Sequence, residues 1–443
     1  MILNFLFTST PLKFMVQSFW RDEAFSYLMA KRSILDLLIL TARDANPPIY
    51  YLALKIWMTL FGSSEVALRS LSLIFFFATI YVVFLILTGT FGVSVKKSYL
   101  YLLIFVANPL LHYYAFEARM YTMLAFFASL SFYFLFQKKY TSFTVAVILG
   151  LYTHYFMIFT FIPYLIYFYM QGRILHERKA LFQSLKNICL ALCPWILFVV
   201  LIKIPQHAGF WIQKPTLETF IDLPALLLTG YEPDLWYLYM LLTPLSILLF
   251  GMIAYGIFMF KKQNIRHRPK KVPLTIFYAL IGWAFAVPVL ILTVSFFIPI
   301  FLPRYMIFVT VGFLLLLIFL IEYMPRQVQP FMFLFLIFFS VNYGTLQIDK
   351  RDKAHIQKPL LEIKKMLKEG DVVYVTHEYN FHPAQYYLGE KVVYMFGKTY
   401  EELPWFVGKI LIPKEKIAAS LPSYPHKAFI LKDDLSYSIQ AIY

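Results

Sequence analysis

The sequence has little charge and almost no cysteine. Only 14% of the 443 residues are Asp, Glu, Lys or Arg, whereas 60% are hydrophobic and 20% are aromatic. A soluble domain of this length could not bury so much apolar surface. The two cysteines, Cys189 and Cys193, lie four positions apart in an apolar segment. They predict no disulfide framework and carry no information about the redox compartment.

Several motifs that would point to soluble catalysis are also missing. The sequence has no D-x-D motif, no glycine-rich phosphate loop and no C-x-x-C pair. Its nine histidines are scattered without the spacing of metal ligands. Metal-dependent binding of a nucleotide sugar is therefore unsupported. We expect no metal and no cofactor other than a substrate.

Long apolar runs recur from about residue 66 to about residue 345. They lie near 65–89, 97–116, 120–136, 184–203, 235–260, 274–299, 305–323 and 328–345. A helix of about 20 apolar residues crosses the hydrocarbon core of a bilayer, and each run has this length or nearly so. The fold class predicted is an α-helical polytopic membrane protein.

The net charge is +16, and the positions of the basic residues indicate the topology of the chain in the membrane. Basic clusters alternate along the chain, at Lys96-Lys97, Lys138-Lys139, Arg173 with Arg178 and Lys179, 261–271, and Arg326. Excess Lys and Arg marks cytoplasmic loops, so we predict about 11 crossings with the N-terminus inside. The first crossing is marginal because it is short and contains Pro11 and Lys13. We interpret residues 48–61 as a surface helix, because a span there would move Lys96-Lys97 outside.

The composition changes near residue 346. We predict a transmembrane domain over 1–345 and an extracytoplasmic α/β domain over 346–443. The second begins with an amphipathic helix that ends at Gly370. DVVYVTHEY and KVVYMFG are predicted as strands around a helix at HPAQYYLGE, and KILIP, KEKIAASLPS and KAFILKDD repeat the order strand, helix, strand.

The predicted outer loops and helix ends contain most of the unusual polar residues of the membrane region. Ionisable groups at membrane depth are costly and usually pair or serve a site. Any one of these residues alone is more often an ion-paired or snorkelling side chain, but together they predict a polar chamber at the outer boundary. They are Asp22, Glu23, Arg43, Asp44, Asn46, Glu65, Arg69, Glu117, Arg119, His154, Lys203 and Arg304.

The residue types in this chamber suit one reaction. Two adjacent acids directly after an apolar segment can supply a general base, and arginines bind phosphate through paired N–H donors. These groups suffice to transfer a sugar from a lipid phosphate carrier to a hydroxyl or amine. The leaving phosphate needs cations rather than a strong proton donor.

Five stretches of the sequence resemble the polytopic glycosyltransferases of the GT-C superfamily. They are FWRDEAFSYLMA, ARDANPPIYYLALKIWMTLFGSSEVALRSLS, YYAFEARMYTML, LYTHYF and FLPRYMIF, within residues 18–325. The sequence is most similar to bacterial members of family 39, related to protein O-mannosyltransferases and to the aminoarabinose transferases that act on lipid A. The resemblance implies a polyprenyl-phosphate sugar donor, reaction on the outer face of the cell membrane, and inversion at the anomeric carbon. It also places the catalytic carboxylate on Asp22, with Glu23 beside it.

Each residue assignment has an alternative. Glu23 and Asp44 compete with Asp22 as the base, and Asp22 could instead form an ion pair with Arg21 or Arg119. Arg119, Arg304 and Arg69 are predicted to bind the donor phosphate, although arginines here also snorkel. The other predicted site residues are His154, Tyr121, Tyr305 and Asn46; the family pattern has His where this chain has Asn46. The loop 204–234 is predicted to close over the site.

Two other functional classes stay open at this point. A flippase or other transporter of lipid-linked glycans would place ionisable groups near the bilayer centre, whereas here they gather at helix ends. A membrane scaffold would tolerate loss of Asp22. The expected partners are a polyprenyl-phosphate sugar, an acceptor protein, lipid or envelope glycan, and the bilayer, without nucleic acid. The sequence identifies neither the sugar nor the acceptor.

Overall fold

The computed structural model describes residues 2–171, 175–202, 211–230, 240–265 and 273–443. By contacts the chain forms two compact units. The first unit comprises residues 1–14, 72–198 and 212–351, and the second comprises 15–71, 199–211 and 352–443. Arg173, Lys203 and most of the basic segment 261–271 lie outside the described residues. The predicted division into domains at residue 345 stays a prediction.

Helices dominate the described chain and a small sheet follows near the C-terminus. The helices are α1 (Ile2–Ser9), α2 (Lys13–Val16), α3 (Arg21–Lys31), α4 (Ile34–Arg43), α5 (Ile49–Phe61), α6 (Glu65–Leu85), α7 (Val95–Ala107), α8 (Pro109–Ala115), α9 (Tyr121–Phe136), α10 (Tyr140–Leu151), α11 (Phe161–Gln171), α12 (Leu175–Ile202), α13 (Leu217–Thr229), α14 (Leu242–Ile265), α15 (Leu274–Ile281), α16 (Val287–Ser295), α17 (Ile307–Tyr323), α18 (Gln329–Lys350), α19 (Gln357–Met366) and α20 (Phe381–Leu388). The strands are β1 (Val372–Val375), β2 (Val393–Phe396), β3 (Ile417–Ala418), β4 (Ala428–Leu431) and β5 (Tyr437–Gln440).

Six helices among the described residues are long and apolar enough to cross a membrane. They are Glu65–Thr90, Glu177–Ile202, Leu242–Lys262, Leu274–Ser295, Pro303–Tyr323 and Gln329–Lys350. The membrane class predicted from the sequence is thus supported, but the count of 11 crossings is not confirmed. The marginal first span consists of two short helices, because the chain turns at Pro11 between α1 and α2. Helix α5 has 13 residues, about 20 Å at 1.5 Å per residue, which is short for a span.

The core of the first unit forms around α17. This helix is apolar on all sides and is buried from Ile307 to Ile321, as expected of a helix that other helices surround. Helices α9, α13, α14 and α15 pack against it. Gly312 on α17 makes room for Trp283, which lies between α15 and α16, since a Cβ there would lie 2.4 Å from the Trp283 ring.

The prediction that 204–234 is a loop was wrong for its second half. Residues 217–229 form α13, whose residues from Asp222 to Thr229 are buried. The helix begins after Thr216, whose backbone N–H donates to Thr219 Oγ1 at 3.1 Å, and ends at Gly230 with a φ of +60°. The burial of eight consecutive residues, Asp222 to Thr229, stabilises this helix within the first unit. Residues 204–210 and 231–234 of the predicted loop lie outside the described residues.

The sheet of the second unit has the order β3-β2-β1-β4-β5. Strands β1 to β4 are parallel, and β5 pairs antiparallel with β4. The strands predicted at 371–379, 391–397 and 427–434 and the helix predicted at 382–390 are present as β1, β2, β4 and α20. The class of small α/β sheet is therefore as predicted.

Two tail elements were predicted wrongly and one was missed. KILIP is not a strand; its residues Lys409–Leu411 form one 3₁₀ turn between Gly408 and Pro413. Leu411 and Ile412 are apolar because they are buried, not because they pair in a sheet. KEKIAASLPS is not a helix but a 3₁₀ turn followed by the two-residue β3. The antiparallel β5 had no predicted counterpart.

Candidate active site

The acidic pair predicted as catalytic lies in the first turn of α3. Trp20 precedes the helix with extended backbone angles, φ −97° and ψ 174°, and Asp22 and Glu23 follow directly. Acidic side chains are favourable there because the helix dipole is positive at its N-terminus. Although they are neighbours in sequence, the two carboxylates have different environments.

Asp22 is the more accessible of the two acids. Arg21 Nε donates to Asp22 Oδ1 at 2.9 Å, and 14% of the Asp22 side chain is exposed. The pairing with Arg21 that the sequence left open is therefore present. The carboxylate is reachable from solvent, so a bound acceptor can approach it. The adjoining guanidinium holds it in place.

Glu23 is fully enclosed in an ion cluster. Arg69 Nε and Nη2 donate to its two carboxylate oxygens at 2.7 Å each, and Lys353 Nζ donates to Oε2 at 2.8 Å. The side chains of Glu23 and Arg69 are 0% exposed and that of Lys353 is 6% exposed. Paired geometry of this kind is what keeps buried charges tolerable.

The guanidinium of Arg69 is fully engaged within the second unit. Besides its contacts with Glu23, Nη1 donates to the carbonyls of Met15 and Gln17 at 3.0 and 2.7 Å, and Nη2 donates to Ser18 at 3.3 Å. A guanidinium has five N–H donors, and these contacts account for all of them. Arg69 thus orders residues 15–23 and has no N–H group left for a donor phosphate.

The charge state of Glu23 follows from this cluster. Burial alone raises the pKa of the carboxyl, but the positive charges and hydrogen bonds of Arg69 and Lys353 outweigh burial and lower the pKa to about 2. Glu23 is therefore an anion across the physiological range and a poor proton acceptor. Its position favours a structural role beside Asp22.

Asp44 and Asn46 lie farther along the second unit. Asp44 ends α4, where its backbone N–H donates to the carbonyls of Leu40 and Thr41 at 3.0 and 3.2 Å. Asn46 follows in the bend before α5, and both residues are half-buried. The rigid Pro47-Pro48 pair follows Asn46 and directs the chain into α5.

In the first unit the structure brings five predicted site residues into one cluster, which we call the arginine–tyrosine cluster. The guanidinium carbon of Arg119 lies 5.8 Å from the Tyr121 ring centroid, and that of Arg304 lies 5.9 Å from the Tyr305 centroid. The two tyrosine rings are 6.0 Å apart. Arginine stacks on aromatic faces by cation–π attraction, so the rings orient both cations.

His154 is the fifth member of the arginine–tyrosine cluster. Its ring lies 5.3 Å from the Tyr305 ring and 6.3 Å from the Tyr121 ring. Burial and the positive charge of Arg119 lower the pKa of His154 to about 3. The imidazole is therefore neutral, which agrees with its Nδ1 accepting a hydrogen bond from the Phe156 backbone N–H at 3.1 Å. A neutral His can orient a ligand without adding charge.

A third arginine, Arg351, which the sequence did not predict, extends the arginine–tyrosine cluster through Tyr113 and Tyr114. The guanidinium carbon of Arg351 lies 3.5 Å from the Tyr113 ring centroid. The ring centroids of Tyr113 and Tyr114 are 5.1 Å apart, and those of Tyr114 and Tyr121 are 5.0 Å apart. Arg351 follows the last span, where the sequence pattern suggested only a composition change. The YY of HYYAFEARMY was the available signal for the aromatic partners.

Sequence comparisons identify no relative of this chain. No protein-family model matches it, and no curated protein matches it significantly.

Solved structures nevertheless share its fold. Two crystal structures of ArnT from Cupriavidus metallidurans, one in the apo state and one bound to undecaprenyl phosphate, superimpose with a TM-score of 0.53 each. Sequence identity is 13% and 14%, and the alignments cover 97% of this chain and 91% and 92% of the ArnT chains. At such identity the likeness establishes the fold and nothing finer. The chain therefore has the fold of these ArnT structures, which agrees with the resemblance to GT-C glycosyltransferases that the motifs in its sequence indicated.

Proposed function

We propose that this protein is a membrane glycosyltransferase that transfers a sugar from a polyprenyl-phosphate donor to an acceptor at the outer face of the membrane. The observation that carries the proposal is the arginine–tyrosine cluster, within a fold that binds undecaprenyl phosphate in ArnT. Cations held on aromatic rings suit a lipid phosphate, whose charge needs compensation while its isoprenoid tail needs apolar contacts.

In this proposal the arginines neutralise the phosphate. Arg119, Arg304 and Arg351 each lie against a tyrosine ring of the cluster. They bind the phosphate in the ground state and bind it more strongly as charge develops on the leaving oxygen. Arg69 has a different role: it holds Glu23 and residues 15–18, and we assign it as a positioning residue.

Asp22 is the proposed general base. An acceptor hydroxyl or amine attacks the anomeric carbon from the side opposite the phosphate, and Asp22 takes the proton that the nucleophile loses. The bond between the anomeric carbon and the phosphate oxygen breaks, and its electron pair leaves with the lipid phosphate. One bond forms and one breaks at the same carbon, so the configuration inverts.

The identity of the base can be tested directly. Membranes containing the wild-type protein are given a panel of radiolabelled polyprenyl-phosphate sugars, beside Asp22→Asn, Glu23→Gln and Asp44→Asn. We expect Asp22→Asn to abolish transfer while the protein still folds, because Asn cannot accept the proton. Asp44→Asn should retain most of the activity.

Other outcomes would redirect the proposal. Transfer that survives Asp22→Asn but is lost in Asp44→Asn would move the base to Asp44. The wild-type protein could instead transfer no sugar from any donor but move a lipid-linked glycan across the bilayer of vesicles. That result would support a flippase.

A further inference from the structure

A loop of the small sheet reaches the charged motif of α3 within the second unit. Strand β1 ends at Val375, and the next residues include a 3₁₀ turn over Glu378–Asn380. His377 Nδ1 accepts a hydrogen bond from the Tyr379 backbone N–H at 3.2 Å, and Glu378 pairs with Lys398 beyond β2. These contacts fix the backbone of the loop around Tyr379.

Tyr379 presents its ring to Arg21. The guanidinium carbon of Arg21 lies 4.7 Å from the Tyr379 ring centroid, well within the range of a cation–π contact. The same guanidinium donates to Asp22 Oδ1 at 2.9 Å. One side chain of the C-terminal segment is thus linked to the candidate base through a single intervening residue.

The support behind this contact is extensive. Helix α20, which follows the loop, packs along α3. The His382 ring lies 5.8 Å from the Phe25 ring, and the Tyr387 hydroxyl accepts from the Phe19 backbone N–H at 2.9 Å. Because α20 and α3 are packed together, the backbone that carries Tyr379 is held beside Arg21, although the Tyr379 residue itself is 44% exposed.

We propose that Tyr379 is a positioning residue for the transfer reaction, orienting the Asp22 carboxylate by holding the Arg21 guanidinium. The inference rests on the proposed function and assigns a task in it to the C-terminal segment. An arginine has several rotatable bonds, and a ring beneath its planar group restricts them. The restricted guanidinium in turn leaves Asp22 with one preferred orientation, as efficient proton transfer requires.

The test compares Tyr379→Ala with Tyr379→Phe in the full chain. Removing the ring should lower kcat about three- to tenfold, the range of a cation–π contact, while KM for the donor stays unchanged. Phe keeps the aromatic face and should restore at least half of kcat. Tyr443→Ala, which removes a 99% exposed ring of the same unit, is the matched control and should match the wild type.

A double-mutant cycle separates positioning from general stability. If Tyr379 acts through Arg21, the change Tyr379→Ala should cost little further activity in an Arg21→Ala background. Additive losses, or an active wild type whose Tyr379→Ala variant keeps full kcat, would overturn the inference and leave the proposed function intact. A wild type that transfers no sugar would overturn both. Thermal unfolding of each variant in detergent verifies that the compared proteins are folded.

Discussion

Arg69 binds Glu23 through two N–H donors, and both contacts measure 2.7 Å at sites that solvent does not reach. The pair is 46 positions apart in the chain, and Lys353 completes it from 330 positions away. The carboxylate beside the candidate base is therefore the anchor of its helix. In the adjacent pair Asp22-Glu23, Asp22 is thus the candidate base, whereas Glu23 fixes the position of α3.

Breaking this buried cluster should destabilise the protein strongly. We expect Glu23→Ala to lower the free energy of unfolding by about 3–5 kcal/mol, because it leaves Arg69 and Lys353 as uncompensated buried charges. Glu390→Ala is the matched control: the Glu390 side chain is 23% exposed, against 0% for Glu23, and its partners Lys31 and Arg32 are 51% and 32% exposed. Its loss should cost about 1 kcal/mol or less. Unfolding monitored in detergent measures both. Equal losses would contradict the buried network.

The stability of the wild type should also depend on pH through Glu23. Its pKa is lowered from 4.5 to about 2 in the folded protein. The unfolded chain therefore binds the proton first as pH falls, so the contribution of Glu23 is complete above about pH 4.5 and declines toward pH 2. Glu23→Gln removes this contribution. The difference in unfolding free energy between wild type and variant should shrink across that window, and a constant difference would contradict the prediction.

Arginines of the cluster should matter chiefly for the donor. Replacing Arg119, Arg304 or Arg351 by Gln should raise KM for the polyprenyl-phosphate sugar roughly tenfold or more, the scale of a charged hydrogen bond. Steady-state kinetics with donor varied at fixed acceptor measures the effect. Arg178→Gln, at an exposed position on α12, should leave KM unchanged. An unchanged KM in all three variants would show that the donor phosphate does not bind at the arginine–tyrosine cluster.

Two glycines distinguish backbone strain from crowding. Gly408 and Gly62 both have a φ of +81°, but a Cβ on Gly408 would lie 2.6 Å from Phe25 and 2.7 Å from His382, whereas nothing lies within 4 Å of one on Gly62. Their ψ angles differ, −172° at Gly62 and 30° at Gly408, and the Gly62 conformation is one that essentially only glycine adopts. Gly62→Ala should therefore cost about 1–3 kcal/mol from strain alone and leave transfer unchanged. Gly408→Ala should reduce transfer, because the added Cβ pushes on Phe25 of α3. Unfolding and activity assays of the pair give the comparison, and unchanged transfer in Gly408→Ala would argue against contact between Gly408 and α3.

The sequence predicted what depends on composition and local pattern. Its apolar runs predicted a membrane protein, and the alternation in residues 371–397 predicted β1, α20 and β2. The motif FWRDEAFS identified the charged turn that begins α3. These features are encoded by neighbours within a few residues, so one sequence suffices to find them.

What the sequence did not predict depends on distant contacts. Nothing near Lys353 indicates that its ammonium group reaches Glu23, and nothing near Arg69 indicates that backbone carbonyls of residues 15–18 take its donors. Helix α13 was missed because the flanking polar segments suggested a loop, although Thr216 and Gly230 mark its ends. KILIP was predicted as a strand because apolar pattern alone does not distinguish burial from pairing.

Helix α12 offers a practical consequence of its exposure. Cys189 and Cys193 are the only cysteines in the sequence, and both are exposed on this largely uncovered span. Four positions apart, they lie on the same side of the helix. A single-cysteine variant at either position therefore accepts a spin label or an environment-sensitive fluorophore without disturbing a buried contact. Quenching by lipid-soluble and water-soluble agents would then measure the depth of each labelled position of α12 in the bilayer. That depth would show experimentally where the membrane lies along this helix.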